Sequence, residues 1–217
     1  VPAGLVPAAL EERVEQVRTA LAGALRSRVI GPDAEDKQAR VMLAPGERWF
    51  AESSPVRTVH SDASMFIGGM RALLLQSLHP LAMAGVAEHS DYRNDPWGRL
   101  QRTAEFLAAT TFGPAELAQQ SVDMVRAVHS RVHGVTADGT PYSASDPHLL
   151  RWVHVAEADS FLTAYQAYGA GRLSPAEADG YVAGMALIAR KLGVTAPPLS
   201  VRGLHDQLAM FRPELRS

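Results

Sequence analysis

The stretch that decides the fold is residues 65–86, which read MFIGGMRALLLQSLHPLAMAGV. Nearly every residue is apolar, but Arg71, Gln76 and His79 interrupt the run, whereas a membrane-spanning helix needs about 20 residues with few or no charges. We therefore predict a helix that is buried almost all round inside a globular protein. Pro80 lacks the N–H that would bond to the Gln76 carbonyl, so the helix should kink or break there. His79, beside that break, is either a hydrogen-bonded core histidine or part of a pocket wall.

The composition allows one large hydrophobic core and excludes several classes of function. The chain has 217 residues, 47% of them hydrophobic, and we expect one domain. The formal net charge of −2 predicts no field that would recruit nucleic acid or an anionic membrane. The absence of cysteine excludes disulfides, thiolate nucleophiles and cysteine-ligated metal sites. We expect no transmembrane segment, and a cytoplasmic location because residues 1–4 lack the features of a secretory signal.

Helix signals recur along the whole chain. Apolar residues at helical spacing predict an amphipathic scaffold helix over residues 8–28. Three later starts combine a capping side chain with proline at the first helical position: Asp95-Pro96, Asp146-Pro147 and Ser174-Pro175, the last with Glu177 completing a capping box. The further helices predicted are 97–111, 114–133, 149–168, 174–192 and 200–211. Asp138-Gly139 predicts a turn within a small two-stranded ribbon. The expected fold class is all-α, a single-domain multi-helix bundle.

The helix predicted over residues 114–133 carries two candidate histidines. At 100° per residue His129 falls inside an apolar stripe and His133 lies at its margin. The stripe consists of Ala118, Val122, Val125, Val128 and Val132. A histidine in a core stripe must find a hydrogen-bond partner or bind something. From the pattern alone, a hydrogen-bonded core histidine is favoured.

The chain lacks a Gly-rich phosphate loop, a Gly-x-Ser-x-Gly elbow and a His-Glu-x-x-His zinc motif. What remains is a set of histidines near apolar helices, together with Arg99, Arg102 and Thr103; the histidines are His79, His89, His129, His133 and His154. Such a domain suits a planar apolar cofactor such as haem. It equally permits a His/carboxylate metal site, with His129 and His133 at i, i+4 on one helical face. His154, Glu157 and Asp159 are further candidate ligands, for which a solvated helix face is the expected interpretation.

A series of short motifs resembles one family. The motifs are Gly68-Gly69-x-Arg71-Ala72-Leu73-Leu74-Leu75-Gln76-x-x-His79-Pro80, Gly85-Val86-x-x-His89-Ser90, Asp95-Pro96-x-Gly98-Arg99-Leu100-x-Arg102-Thr103, Val128-His129, Asp138-Gly139-x-Pro141-Tyr142 and Asp146-Pro147-x-Leu149-Leu150-x-Trp152-Val153-His154. In this order they resemble the haem-dependent oxygenases that include latex clearing protein (rubber oxygenase) and the MpaB-type oxygenases. The resemblance implies a single catalytic domain over residues 1–217, with N-terminal scaffold helices at 1–45 and the family core at 46–217. It further implies a b-type haem between helices, held by one proximal histidine.

The resemblance also implies roles for single residues. The family's distal Arg-x-x-x-Thr pair falls on Arg99 and Thr103, and Arg102 stands where rubber oxygenases have a lysine. These three are the expected catalytic residues, and Arg99 is also expected to bind the cofactor. The axial iron ligand falls on His129, with His133 as the competitor because the preceding loop varies in length. His79 is expected to contribute to the cofactor site.

Rubber cleavage is not expected from the same resemblance. Rubber oxygenases use a glutamate base after the His-Pro motif, where this chain has Met83, Ala84 and Gly85, and the nearest carboxylate is Glu88. The expected function is oxidation of a small apolar molecule by dioxygen or peroxide at haem b, with an electron donor as a further partner. Two alternatives stay open: a non-catalytic haem carrier or sensor, and a non-haem His/carboxylate metalloenzyme, which would contain metal without a Soret band.

Overall fold

The computed structural model describes residues 13, 16, 34–90 and 93–216. The scaffold helix predicted over residues 8–28 lies outside this part, apart from Arg13 and Gln16. The described helices are α1 (Ala34–Met42), α2 (Pro55–Ser61), α3 (Met65–Leu78), α4 (Pro80–His89), α5 (Pro96–Phe112), α6 (Ala115–His129), α7 (Pro147–Tyr168), α8 (Pro175–Leu192) and α9 (Val201–Phe211), followed by a 3-10 turn at Arg212–Glu214. Strands β1 (His133–Val135) and β2 (Pro141–Ser143) pair antiparallel. The predicted all-α class and the small ribbon are confirmed.

The caps read from the sequence start the helices as predicted. The side chains of Asp95 and Asp146 each accept a backbone N–H at 2.8 Å. Ser174 and Glu177 form the reciprocal capping box at the start of α8. This helix ends at Gly193, whose φ of 109° lies in the left-handed region that glycine adopts without steric cost. Local sequence therefore fixes where these helices begin and end.

The centre of the fold is α7, whose residues are mostly buried. It packs against α3 on one side and against α8 and α9 on others. Trp152, Val155 and Phe161 of α7 join Tyr181 and Val182 of α8 in the main hydrophobic core. Each of these side chains is no more than 3% exposed. The most deeply buried helix is thus α7 and not the apolar run at residues 65–86.

The break predicted at Pro80 is confirmed, but the predicted burial is wrong. α3 ends at Leu78, His79 has extended backbone, and α4 begins at Pro80. Of α3 only Gly68 and Ala72 are buried, and α4 has no buried residue. Five apolar side chains of α3 are exposed: Ile67, Met70, Leu73, Leu74 and Leu78. Because α3 packs mainly on α7, only one of its sides is covered within the described part of the chain.

The helix predicted over residues 114–133 is shorter than expected. α6 ends at His129, and His133 lies in β1, where it pairs with Ser143. After His129 the N–H groups of Arg131 and Val132 bond to the carbonyls three residues back instead of four, and the Val132 carbonyl then accepts the Ala144 N–H at 2.8 Å, a bond that belongs to the ribbon. The prediction that His129 and His133 share one helical face is therefore wrong.

Among the described helices, none combines the length and the apolar character that a bilayer crossing requires.

Candidate functional site

α5 and α6 form an antiparallel hairpin, because only Gly113 and Pro114 separate them and the helices pack on each other. Arg99 is the fourth and Thr103 the eighth of the 17 residues of α5, and His129 is the last residue of α6. In an antiparallel pair the start of the first helix lies beside the end of the second. The hairpin therefore carries the predicted guanidinium and imidazole at the same end, with the predicted hydroxyl one turn further along α5, near the middle of that helix.

Arg99 and Thr103 are both half-buried and are joined to each other. The Thr103 hydroxyl donates to the Arg99 carbonyl at 3.1 Å, which leaves the lone pairs of its oxygen able to accept. Nη1 of Arg99 donates to Oγ of Ser90 at 3.5 Å, a long hydrogen bond that ties α5 to the residue after α4. Arg102 differs, because its side chain is 63% exposed and lies 3.6 Å from the Asp95 carboxylate. The structure thus places Arg102 on the outer surface of α5.

His129 has the properties of an open metal ligand. Its side chain is half-buried, and no hydrogen bond to it is found within the described residues. Burial lowers the pKa of His129, so the ring is neutral near pH 7, the form in which a ring nitrogen binds metal. His133 is exposed in β1. The surroundings of His129 are less buried than predicted, because Val128 is 46% exposed and only Ala118 and Val122 of the stripe are buried.

The helices that precede this hairpin leave apolar surface open. α4 is almost entirely apolar, yet residues 80–86 are all half-buried and none is fully buried. The exposed face of α3 adds Met70 and Leu74, which are 63% and 67% exposed. Covering such side chains with an apolar group contributes roughly 25 cal/mol per Å² of surface removed from water. The neutral imidazole of His129 is a ligand that haem iron accepts, and α4 brings apolar surface close to it, since a Cβ on Gly85 would stand 3.6 Å from Val132; these residues are therefore compatible with that group.

The candidate ligands on α7 are less exposed than expected. His154 and Asp159 are 7% and 5% exposed, so the prediction of a solvated face is wrong. Asp159 pairs with Nη2 of Arg71 at 2.6 Å, which compensates its burial. Nε2 of His154 has no hydrogen-bond partner in the described structure, and burial lowers the pKa of His154 to about 4. Glu157 is half-buried, and burial raises its pKa to about 7.

Glu88, the carboxylate nearest the position of the expected base, is held by the ribbon. The Tyr142 hydroxyl donates to Oε2 of Glu88 at 2.5 Å and lies 3.2 Å from Nε2 of His89. Burial, together with the Glu88 hydrogen bond, raises the pKa of Tyr142 to about 12. Glu88 therefore fastens the end of α4 to β2.

His79 belongs to a different group of side chains. Its ring is 1% exposed, lies beside Trp152 and Phe211, and places Nε2 at 3.2 Å from Oε2 of Glu214. Nε2 of His148 lies 2.9 Å from the same oxygen. Burial lowers the pKa of His79, against the opposing effect of Glu214. Sequence reasoning missed His148 and Glu214, because no spacing signal joins residues 66 positions apart.

Comparison with known proteins gives one match. The family described as "ER-bound oxygenase mpaB/B'/Rubber oxygenase, catalytic domain" matches residues 57–217. Arg99, Thr103 and His129 all lie inside the matched residues. No curated protein and no solved structure matches the chain.

Proposed function

Because the chain belongs to the family of mpaB/B' and rubber oxygenase catalytic domains, we propose that it oxidises a small apolar molecule at a b-type haem. Family membership supports an oxygenase-type enzyme. The haem, the use of dioxygen or peroxide, an electron donor and the apolar substrate are the proposed parts. The observation that carries them is His129, a half-buried neutral imidazole without a described partner, which lies at the same end of the hairpin as Arg99.

Three residues of the hairpin have defined roles in this proposal. His129 would hold the haem iron, and the haem would supply the oxidising chemistry. Arg99, linked to Ser90, would place a fixed positive charge where negative charge develops on the oxidant. Thr103 would accept or pass a proton through its hydroxyl oxygen, since its own hydrogen is directed at the Arg99 carbonyl.

The apolar surfaces of α3 and α4 account for the proposed substrate class. Half-buried residues such as Met83 and Val86, and the exposed Met70 and Leu74, offer dispersion and hydrophobic contacts but few hydrogen bonds. A small apolar molecule would gain most from this surface, and its binding would exclude water from the site. The carboxylate of Glu88 is engaged by Tyr142, so this proposal assigns it no role as a base.

The cofactor is tested by the visible spectrum of the protein purified from haem-supplied cells. Wild type and His133→Ala should show a Soret band, whereas His129→Ala should lose most of it. His133→Ala is the matched control, because it removes an exposed imidazole four residues away. Loss of haem only in His133→Ala would identify His133 as the iron ligand. A wild-type protein that never takes up haem would refute the proposal.

Catalysis is tested separately on the haem-loaded protein. Arg99→Met should keep the Soret band but lose at least tenfold in turnover of an apolar test substrate with dioxygen or peroxide. Arg102→Met removes an equal charge from the exposed side of α5 and should retain turnover. Haem binding without turnover in the wild type would instead identify a haem carrier or sensor.

A further inference from the structure

We propose that His79, His148 and Glu214 form a second metal site, for a divalent ion of the zinc class. Nε2 of His79 lies 3.2 Å from Oε2 of Glu214. Nε2 of His148 lies 2.9 Å from Oε2 and 3.0 Å from Oε1 of Glu214. One ligand atom from each residue falls within 4.8 Å of the other two. None of the three residues belongs to the proposed haem site at the α5–α6 hairpin, so the inference goes beyond the proposed function.

These separations are hydrogen-bond distances in the metal-free chain, and they also suit atoms that share one ion. With metal–ligand bonds of about 2.0–2.1 Å, neighbouring ligands of a tetrahedral site are about 3.3 Å apart. The distances from Glu214 to His79 and to His148 differ from that spacing by a few tenths of an ångström. A small adjustment of the exposed side chains would therefore complete the geometry.

The donor set selects the kind of ion. Two imidazoles and one carboxylate are the protein ligands of several catalytic zinc sites, which keep a further position for water. Imidazole nitrogen favours zinc, copper, iron or nickel, whereas magnesium and calcium prefer oxygen ligands. Side-chain exposures of 50% for His148 and 39% for Glu214 give an ion access from solvent. The site should thus bind Zn²⁺ and discriminate against Mg²⁺.

The three ligands are held by three separate parts of the fold. His79 is fixed at the α3–α4 break and packed against aromatic rings. His148 is the second residue of α7, and its backbone N–H bonds to Asp146 at 2.8 Å. Glu214 ends the C-terminal turn, and the Arg216 N–H bonds to the Leu78 carbonyl at 2.9 Å. An ion here would join the C-terminal turn to α7 and to the α3–α4 junction.

Binding of an ion requires His79 to release the proton on Nε2. In the metal-free chain Nε2 donates this proton to the Glu214 carboxylate, which can only accept, and the buried Nδ1 has no hydrogen-bond partner in the described part of the chain. An ion would replace the proton on Nε2, as metal binding to a histidine generally does, and the affinity for zinc should therefore rise with pH. The proposal therefore assigns His79 to this second site, whereas the family resemblance implies a contribution to the haem site.

The test is calorimetric titration of Zn²⁺ into haem-containing protein that has been treated with a chelator. We expect one zinc ion per chain and no binding of Mg²⁺. His148→Ala and Glu214→Gln should weaken zinc binding at least tenfold, and zinc should raise the Tm of wild type but not of these variants. His148 and Glu214 are exposed, so neither substitution should unfold the protein.

The matched control is His205→Ala. His205 is 62% exposed and lies 3.4 Å from Asp159, so it is an exposed imidazole beside a carboxylate outside the proposed site. His205→Ala should bind zinc as wild type does. Absence of zinc binding in wild type, or unchanged binding in His148→Ala and Glu214→Gln, would overturn the site.

Discussion

Gly68 of α3 lies so close to Phe161 of α7 that a Cβ on Gly68 would stand 2.7 Å from Cδ1 and 3.0 Å from Cα of Phe161. The same Cβ would lie 3.2 Å from the Ser160 carbonyl oxygen. Two of these three neighbours are backbone atoms, which cannot move away by changing a rotamer. The approach of α3 to the central helix therefore depends on the missing side chain at this position.

We expect Gly68→Ala to destabilise the fold by about 1–3 kcal/mol, because the methyl group forces α3 away from α7. Gly69→Ala is the matched control: its Cβ would meet only Cε1 of Phe161, at 3.9 Å, an ordinary contact. Replacing a glycine inside a helix where space is available stabilises by about 0.5–1 kcal/mol. Urea unfolding of both variants measures the difference, and equal effects of the two substitutions would contradict this packing.

Arg71 balances the negative charge of the buried Asp159 carboxylate. Nη2 of Arg71 lies 2.6 Å from Oδ2 of Asp159, and its Nη1 donates to Oγ of Ser160 at 2.8 Å. The Asp159 side chain is 8% exposed, whereas that of Arg71 is 39% exposed and partly screened by water. We expect Arg71→Met to lower the free energy of unfolding by about 1–3 kcal/mol, since among the described residues it leaves the exposed His205 as the remaining ion-pair partner of Asp159.

The double variant Arg71→Met/Asp159→Asn should recover part of that loss, because the unpaired charge is removed. Arg102→Met is the control, since its pair with Asp95 is long and exposed and should contribute less than about 0.5 kcal/mol. Thermal unfolding of the four proteins gives the comparison. A double variant no more stable than Arg71→Met would show that charge burial is not the cause.

His60 should make the fold sensitive to acid. Its ring is 9% exposed, with Nδ1 at 2.8 Å from Oγ1 of Thr111 and Nε2 at 3.2 Å from the Tyr181 hydroxyl. Burial lowers the pKa of His60 from 6.5 to about 3. Between these values the unfolded chain binds a proton that the folded chain does not, so stability is complete above pH 6.5 and falls as the pH is lowered.

The protonation of His60 alone should lower the free energy of unfolding by about 2 kcal/mol between pH 7.5 and pH 5. His60→Gln should be less stable than wild type at pH 7.5, because the buried contacts are altered, but should lose about 2 kcal/mol less between the two pH values. His205→Ala, which removes an exposed histidine, should keep the wild-type pH dependence. If His60→Gln retains the full acid loss, other groups are responsible; His154, whose pKa is lowered to about 4, acts in the same direction.

Glu157 should make the fold less stable as the pH rises, which is the opposite of the pH dependence expected for His60. Burial raises the pKa of Glu157 from 4.5 to about 7, so the folded chain retains a proton that the unfolded chain has lost between these values. The stability associated with this group is therefore present below pH 4.5 and is lost as the pH rises towards 7. Relative to wild type, Glu157→Gln should gain on the order of 2 kcal/mol at pH 8 and almost nothing at pH 4.5.

Urea denaturation at both pH values measures this gain. Glu52→Gln, at an exposed position before α2, is the control and should leave the difference between the two pH values unchanged. A gain of equal size at pH 4.5 and pH 8 would mean that Glu157→Gln acts through packing and not through its charge.

The sequence anticipated the parts of the fold that depend on neighbouring residues. The caps at Asp95, Asp146 and Ser174 and the break at Pro80 each follow from a side chain or a missing N–H within four positions of the helix end. The end of α6 at His129 was missed, because the chain that follows is held in the ribbon by a residue on the far side of the turn: the Ala144 N–H bonds to the Val132 carbonyl.

The residue types and their order were sufficient to determine the all-α class, most helix starts and the family. These features depend on local backbone chemistry and on motifs along the chain. Only the tertiary structure decided which apolar faces are covered, which described histidines have hydrogen-bond partners, and that His79 and His148 meet at Glu214. The physical reason is that burial and ligand geometry are set by contacts between distant segments: α7 covers one side of α3 and leaves Met70 and Leu74 open. Hydrophobicity alone could not distinguish that open side from the buried one.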